Sequence, residues 1–307
     1  MNLQEYCQLQ AEKGALERLL ADLPTERLIE RIGLEARKQE IDEALAAQPA
    51  PSREPIRARL TFRGKPIVGS YGIFAEFGAG IVGAFSDAVA AIGASHVGPL
   101  GARGILPGKD DFRMLITGTA PGSFGFQFEE APADCPTLFP EDSPLEPAIH
   151  RTKEIMQASL GTDDELTEAL SDADPRAIET IRKFLETMAK NEAVCALEFK
   201  GEVFRFTDVE QVRRSMGRLA QDNIHEEDAS LSGVFEGVLP HRRTFEFRVA
   251  ESGEIIAGKV GKTIEDASTI NHVLDRQVTI NVHSRRVGAG RPSYVLIGYQ
   301  DDVRGDE

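Results

Sequence analysis

The chain has 307 residues, 41% hydrophobic and 28% charged, enough to bury sizeable cores over two or three domains and to exclude bulk disorder. Its formal net charge of −15 argues against a protein that coats nucleic acid or binds acidic membranes, because both need clustered Lys and Arg. Cys7, Cys135 and Cys195 are far apart, odd in number and without Cys-x-x-Cys spacing, so neither a disulfide framework nor a zinc site is expected, and a reducing cytoplasm fits best.

The first residues carry Glu5, Glu12 and Glu17 where a secretory signal has a basic start and an apolar stretch, so no targeting segment is expected. Residues 1–48 read as a helical hairpin of coiled-coil character. Leu16, Leu19, Leu20 and Leu23 form one stripe, Leu28, Ile32, Leu34, Ile41 and Leu45 a looser second one, and "DLPTE" between them offers Asp22 as a cap. "AAQPAPSREP" then reads as a linker.

A mixed domain is expected over 55–132. "IRARLTF" alternates as a strand; Phe74, Phe77, Ile81, Phe85, Val89 and Ile92 recur every three or four residues as one buried helical face; "FRMLITG" and "SFGFQFEE" flank "TAPG" as a hairpin. The apolar run that contains this helix is interrupted by Glu76 and Asp87, leaving it short of the roughly 20 residues a membrane span requires. Residues 98–108, rich in glycine, form a loop that is the first place to look for a lid over an active site.

Residues 147–226 read as a helical bridge with a hairpin. Its clearest helix starts at Asp174 and Pro175 and buries Ile178, Ile181, Phe184, Leu185 and Met188. "VCALEFKGEVFRF" follows as the hairpin, and a short helix starts at Thr207 or Asp208. From 228 to 300, "GVFEGVLP", "TFEFRVA", "EIIAGKV", "QVTINVHS" and "SYVLIGY" are short alternating segments, the pattern of a small antiparallel β-barrel or sandwich. The fold class is therefore α+β: helical hairpin, mixed middle domain, helical bridge and small C-terminal β domain.

Few motifs survive inspection. Gly253 and Gly258-Lys259 have P-loop spacing, but Val260 stands where a magnesium-binding Ser or Thr belongs, and the context is a β-hairpin. "EFK" at Glu198–Lys200 matches half of a metal-dependent nuclease signature without the partner aspartate. The six histidines lack metal-ligand spacing, "HEED" at His225 included, and no Gly-x-Ser-x-Gly or dinucleotide fingerprint occurs. No cofactor or metal is implied.

One charge asymmetry remains. Residues 240–299 hold nine Lys and Arg against six Asp and Glu, a local balance of +3. His241, Arg242 and Arg243 form one basic knot and His283, Arg285 and Arg286 another, with Arg291 nearby. On a small barrel these residues could make an anion or partner-binding groove. The leading expectation is a non-catalytic cytoplasmic interaction or regulatory protein that meets a protein partner or a second copy through its N-terminal helices and C-terminal β domain, with no membrane contact. The alternatives are a nucleic-acid-associated factor that binds phosphate through the basic segment, and an enzyme whose active site is dispersed.

Overall fold

The structure, a computed structural model, describes residues 3–23, 27–47, 55–101, 103–120, 124–131 and 143–301. The chain divides into two compact units, Met1–Ile56 with Ala131–Ser143, and Arg57–Glu130 with Pro144–Glu307.

In the first unit, α1 (Leu3–Asp22) and α2 (Leu28–Ala47) pack on each other, as the sequence leads one to expect. Their seam is narrow: Leu16 and Ile41 are buried, while Leu19 and Ile32, assigned to the same stripes, are 55% and 63% exposed. Two helices alone cover only the residues along their line of contact, so the outer members of each stripe face water. Ion pairs flank the seam, Lys13–Asp42 at 2.5 Å, Arg37–Glu12 at 2.9 Å and Lys38–Glu17 at 3.1 Å. The expected turn at Pro24 lies outside the described residues, as does most of the linker.

The second unit begins with β1 (Arg57–Gly64), whose Ala58, Leu60 and Phe62 are buried while Arg57, Arg59 and Arg63 face the other side. A small hairpin of β2 (Ile67–Val68) and β3 (Gly72–Ile73) leads into α3 (Ala75–Val97). Phe77, Ile81, Phe85, Val89 and Ile92 are buried as expected, but Phe74, the N-cap residue, is 60% exposed because it precedes the helical face that the period describes. Among the described residues α3 is the one helix long and apolar enough to cross a membrane, and most of its apolar window is buried inside the protein.

β4 (Met114–Thr119) and β5 (Gly125–Glu130) follow as the expected hairpin, although residues 121–123 of its turn lie outside the described residues. Then come α4 (Leu145–Ala158), α5 (Asp163–Leu170) and α6 (Pro175–Lys190), β6 (Ala193–Phe199), β7 (Glu202–Arg205) and α7 (Val209–Arg218). Asp174 caps α6 by accepting from the Arg176 N–H at 2.8 Å, and Asp208 caps α7 by accepting from the Gln211 N–H at 2.8 Å. Lys200 and Gly201 both have positive φ, 49° and 80°, the geometry of a tight hairpin turn, so the Lys of "EFK" sits in a turn while Glu198 pairs with Arg59 at 3.1 Å.

The five-stranded sheet is antiparallel with order β4-β5-β1-β6-β7. β5 is inserted between β1 and β4, which gives its first four strands the split βαβ arrangement. α3 and α6 cover one face, where Phe85 packs between Phe128 of the sheet and Phe184 of α6.

The C-terminal sheet comprises β8 (Ile224–Leu239), β9 (Thr244–Val249), β10 (Ile255–Val260), β11 (Gln277–Val287) and β12 (Ser293–Asp301). Hydrogen bonding runs β10-β12-β11-β8-β9 and returns to β10. The expectation of a wholly antiparallel sheet fails at one place: β10 and β12 are parallel over Gly258–Val260. A closed ring with an odd number of strands must contain a parallel neighbour pair, because directions cannot alternate all the way round. Phe235, Phe245, Phe247, Val278, Ile280 and Leu296 fill its core. Gly253, with φ of 70°, lies in the β9–β10 connection, which joins strand to strand and not strand to helix, as the rejection of a P-loop requires.

Candidate functional site

The basic residues singled out from the sequence do not converge. Arg243, with φ of 51°, turns back onto the loop after β10 and donates to the carbonyls of Gly261 and Ile264, both at 2.7 Å. Arg285 is 5% exposed; it donates to the Leu170 and Ala173 carbonyls, the latter at 2.7 Å, and pairs with Glu226 at 2.6 Å. It thus adds a charged donor to the Leu170 carbonyl, which also accepts from the Ala173 N–H at 3.0 Å, and engages the Ala173 carbonyl just past the C-terminal end of α5, where a cation also suits the helix dipole. His283 meets Asp228 at 2.7 Å. His241 and Arg242 stay exposed together on the turn after β8, while Arg286 and the Arg291 side chain are exposed on other segments.

The register explains why the second knot is not a basic patch. His283, Ser284 and Arg285 of β11 lie opposite Asp228, Glu227 and Glu226 of β8. "HEED" is therefore the counter-charge of "HSRR", a complementarity hidden by a separation of more than fifty residues.

These contacts belong to a polar seam that plugs α5 into the C-terminal sheet. Thr162 and Glu165 form a capping box at the start of α5. Asp163 accepts from Arg218 at 2.8 Å and from the Ala289 N–H at 3.2 Å, Asp164 from the Arg291 N–H at 2.6 Å, and the Thr167 hydroxyl from the Val287 N–H at 3.0 Å. Gly290 permits this approach: a Cβ there would stand 2.9 Å from the Asp163 backbone. Lys259, the lysine of the discarded P-loop, donates to Ser171 Oγ at 2.8 Å.

Two open clefts adjoin the seam. The larger, of about 680 Å³, lies between α5 and the β8–β9–β10 surface; Gly237, Thr244 and Ala257 contribute to its lining beside the charges of Asp164, Glu168, Glu246, Lys259 and Arg291. The smaller, of about 420 Å³, gathers His96, His150, Arg151, Glu154, Asp172 and Lys200, residues scattered over a hundred positions and invisible as a group in the sequence. Burial holds the His96 imidazole below its ordinary pKa, reinforced by Arg151 and Lys262 and opposed by Asp172 and Glu154. Burial alone would raise Asp172, but Arg151 and Lys259 outweigh it and keep this carboxyl low. Arg151 is itself engaged, with Asp172 at 2.5 Å, the Ala169 carbonyl at 2.8 Å and Glu154 at 3.3 Å.

The chemistry of the clefts is that of matched charges. No group of three metal-binding side chains occurs among the described residues. Cys195 is buried, and burial pushes its thiol up, away from the nucleophilic thiolate. The loop marked as a candidate lid is tied to the start of α6: the Leu100 N–H donates to Asp174 at 2.9 Å, and Arg176 donates to the carbonyls of Gly101, at 2.9 Å, and Gly104. No protein-family model, curated protein or solved structure matches the chain.

Proposed function

We propose that the chain is a non-catalytic interaction or regulatory protein of the cytoplasm, assembling with a protein partner or a second copy through its N-terminal helices and its C-terminal β-barrel. The observation that carries this reading is where the charged and apolar groups reside. Arg243, Arg285 and Lys259 act as internal clamps, so the cations offered for phosphate or substrate hold the protein together. Large apolar side chains are left on surfaces instead: Tyr71 is 89% exposed in the β2–β3 connection and Phe74 60% at the start of α3, with Leu19 and Ile32 on the helical pair.

The phosphate-binding alternative loses support from the same contacts, since Arg285 and His283 already face carboxylates. The test is affinity purification of the full chain from its native cells at low salt, followed by size-exclusion chromatography. A stoichiometric partner or a defined homo-oligomer is the expected result. A monomer without partner overturns the reading, and so does copurifying nucleic acid that salt removes. Such nucleic acid would be conspicuous by absorbance, because the chain has no Trp and four Tyr.

A further inference from the structure

We infer that β4 is a self-pairing sheet edge: a second copy of the chain adds its own β4 antiparallel across a two-fold axis and joins the two five-stranded sheets into one. This deepens the assembly reading above and rests on it.

β4 hydrogen-bonds to β5 on one side and, among the described residues, to no strand on the other. Such an edge is a template for another strand, and proteins normally blunt it with charge, proline, brevity or a bulge. Two other edges among the described residues are blunted: β7 has four residues that include Glu202 and Arg205, and the outer half of β8 carries Glu226, Glu227 and Asp228. β4, "MLITGT", has neither a charge nor a proline; a register shift between Ile116 and Gly118 is the one blunting feature it carries, and Leu115 and Ile116 precede it in regular pairing with β5. Its apolar side chains are exposed on both faces of the sheet. Leu115, opposite Glu129, is 46% exposed on the solvent face, and Ile116, opposite Phe128, is 52% exposed on the face that β5 turns to the helices. A strand with apolar groups on both faces has the pattern of an interior strand that lacks one neighbour.

Charge selects the occupant. On a chain of net −15, two copies repel wherever carboxylates meet, and β4 is a segment where they can approach without any. In an isologous antiparallel pairing each β4 residue faces an uncharged one, and the two Arg113 residues fall at opposite ends of the pair. A strand recognised by charge would find no complement here.

The test is sedimentation velocity of the full chain over a dilution series, with Leu115→Lys and Ile116→Lys in parallel and hydrogen exchange read over residues 114–119. Wild type is expected to pass reversibly from monomer to dimer, with those amides protected only in the dimer. Each lysine should shift the transition roughly tenfold towards higher concentration, because it enters the interface twice. If either variant fails to fold, Thr117→Asp, on the same exposed edge, replaces it. A monomer at every concentration overturns the inference. A dimer indifferent to these substitutions, with residues 114–119 unprotected, also overturns it while leaving assembly through other surfaces intact.

Discussion

The two sheets of the second unit are held by different forces. The five-stranded sheet is fixed by an apolar layer in which Phe62 meets Phe77 of α3 and Phe128 meets Phe85, which also packs on Phe184 of α6, among the buried Leu60 and Ile81. The C-terminal sheet closes around its own core and is fastened to the helices by hydrogen bonds and buried charge, Arg285 and Thr167 foremost. Apolar attachment is tolerant of small shifts, whereas a polar seam is all or none, since a buried donor or acceptor that loses its partner is left unsatisfied. Edges follow the same division. The closed sheet has its protruding strand guarded by carboxylates, and the open sheet ends on the uncharged β4.

The largest effect should come from Phe85→Ala, which leaves a cavity between sheet and helices and should lower unfolding stability by about 3–5 kcal/mol in a denaturant titration. Arg285→Ala should follow at about 3 kcal/mol, because it removes a buried cation from Glu226 and the donor from the Ala173 carbonyl; hydrogen exchange should rise in α5 while β9 and β10 keep their protection. Equal loss of protection in β9 and β10 would break the distinction between the two attachments. Thr167→Val should cost about 1–2 kcal/mol by depriving the buried Val287 N–H of its acceptor.

A smaller effect is expected from pH. The folded value of His96 is lowered, so its contribution to stability is fully present above its unfolded value of about 6.5 and is lost as pH falls through the folded one. Thermal stability should therefore decline over this interval less steeply in His96→Gln than in wild type. Smallest of all, Arg59→Ala breaks a half-exposed cross-strand pair with Glu198 and should change stability by less than about 1 kcal/mol.

Much of the apolar half of this comparison was legible from order along the chain. The alternation of "IRARLTF" and the period from Phe77 to Ile92 identify β1 and α3 because core-facing residues recur at the period of their own element. The helical stripes of α1 and α2 were overread at Leu19 and Ile32, since periodicity tells which side is apolar but not how wide the covering neighbour is. The basic knots were misleading for a related reason. Arg243 and Arg285 stand next to other cations in the sequence, whereas the groups that neutralise or engage them, Glu226, the end of α5 and the loop after β10, come from elsewhere.

Local pattern, then, determined the longer strands and helices, the cap at Asp174, Asp208 as one of two candidate caps, and the hairpin at Gly253, because these depend on residues within a turn or two. Tertiary structure alone decided that five strands would close with one parallel pair, that α5 would be the plug, and that His96, Arg151 and Asp172 would share a cleft. Those outcomes depend on which distant backbones come within hydrogen-bonding reach, and no periodicity along the chain records that distance.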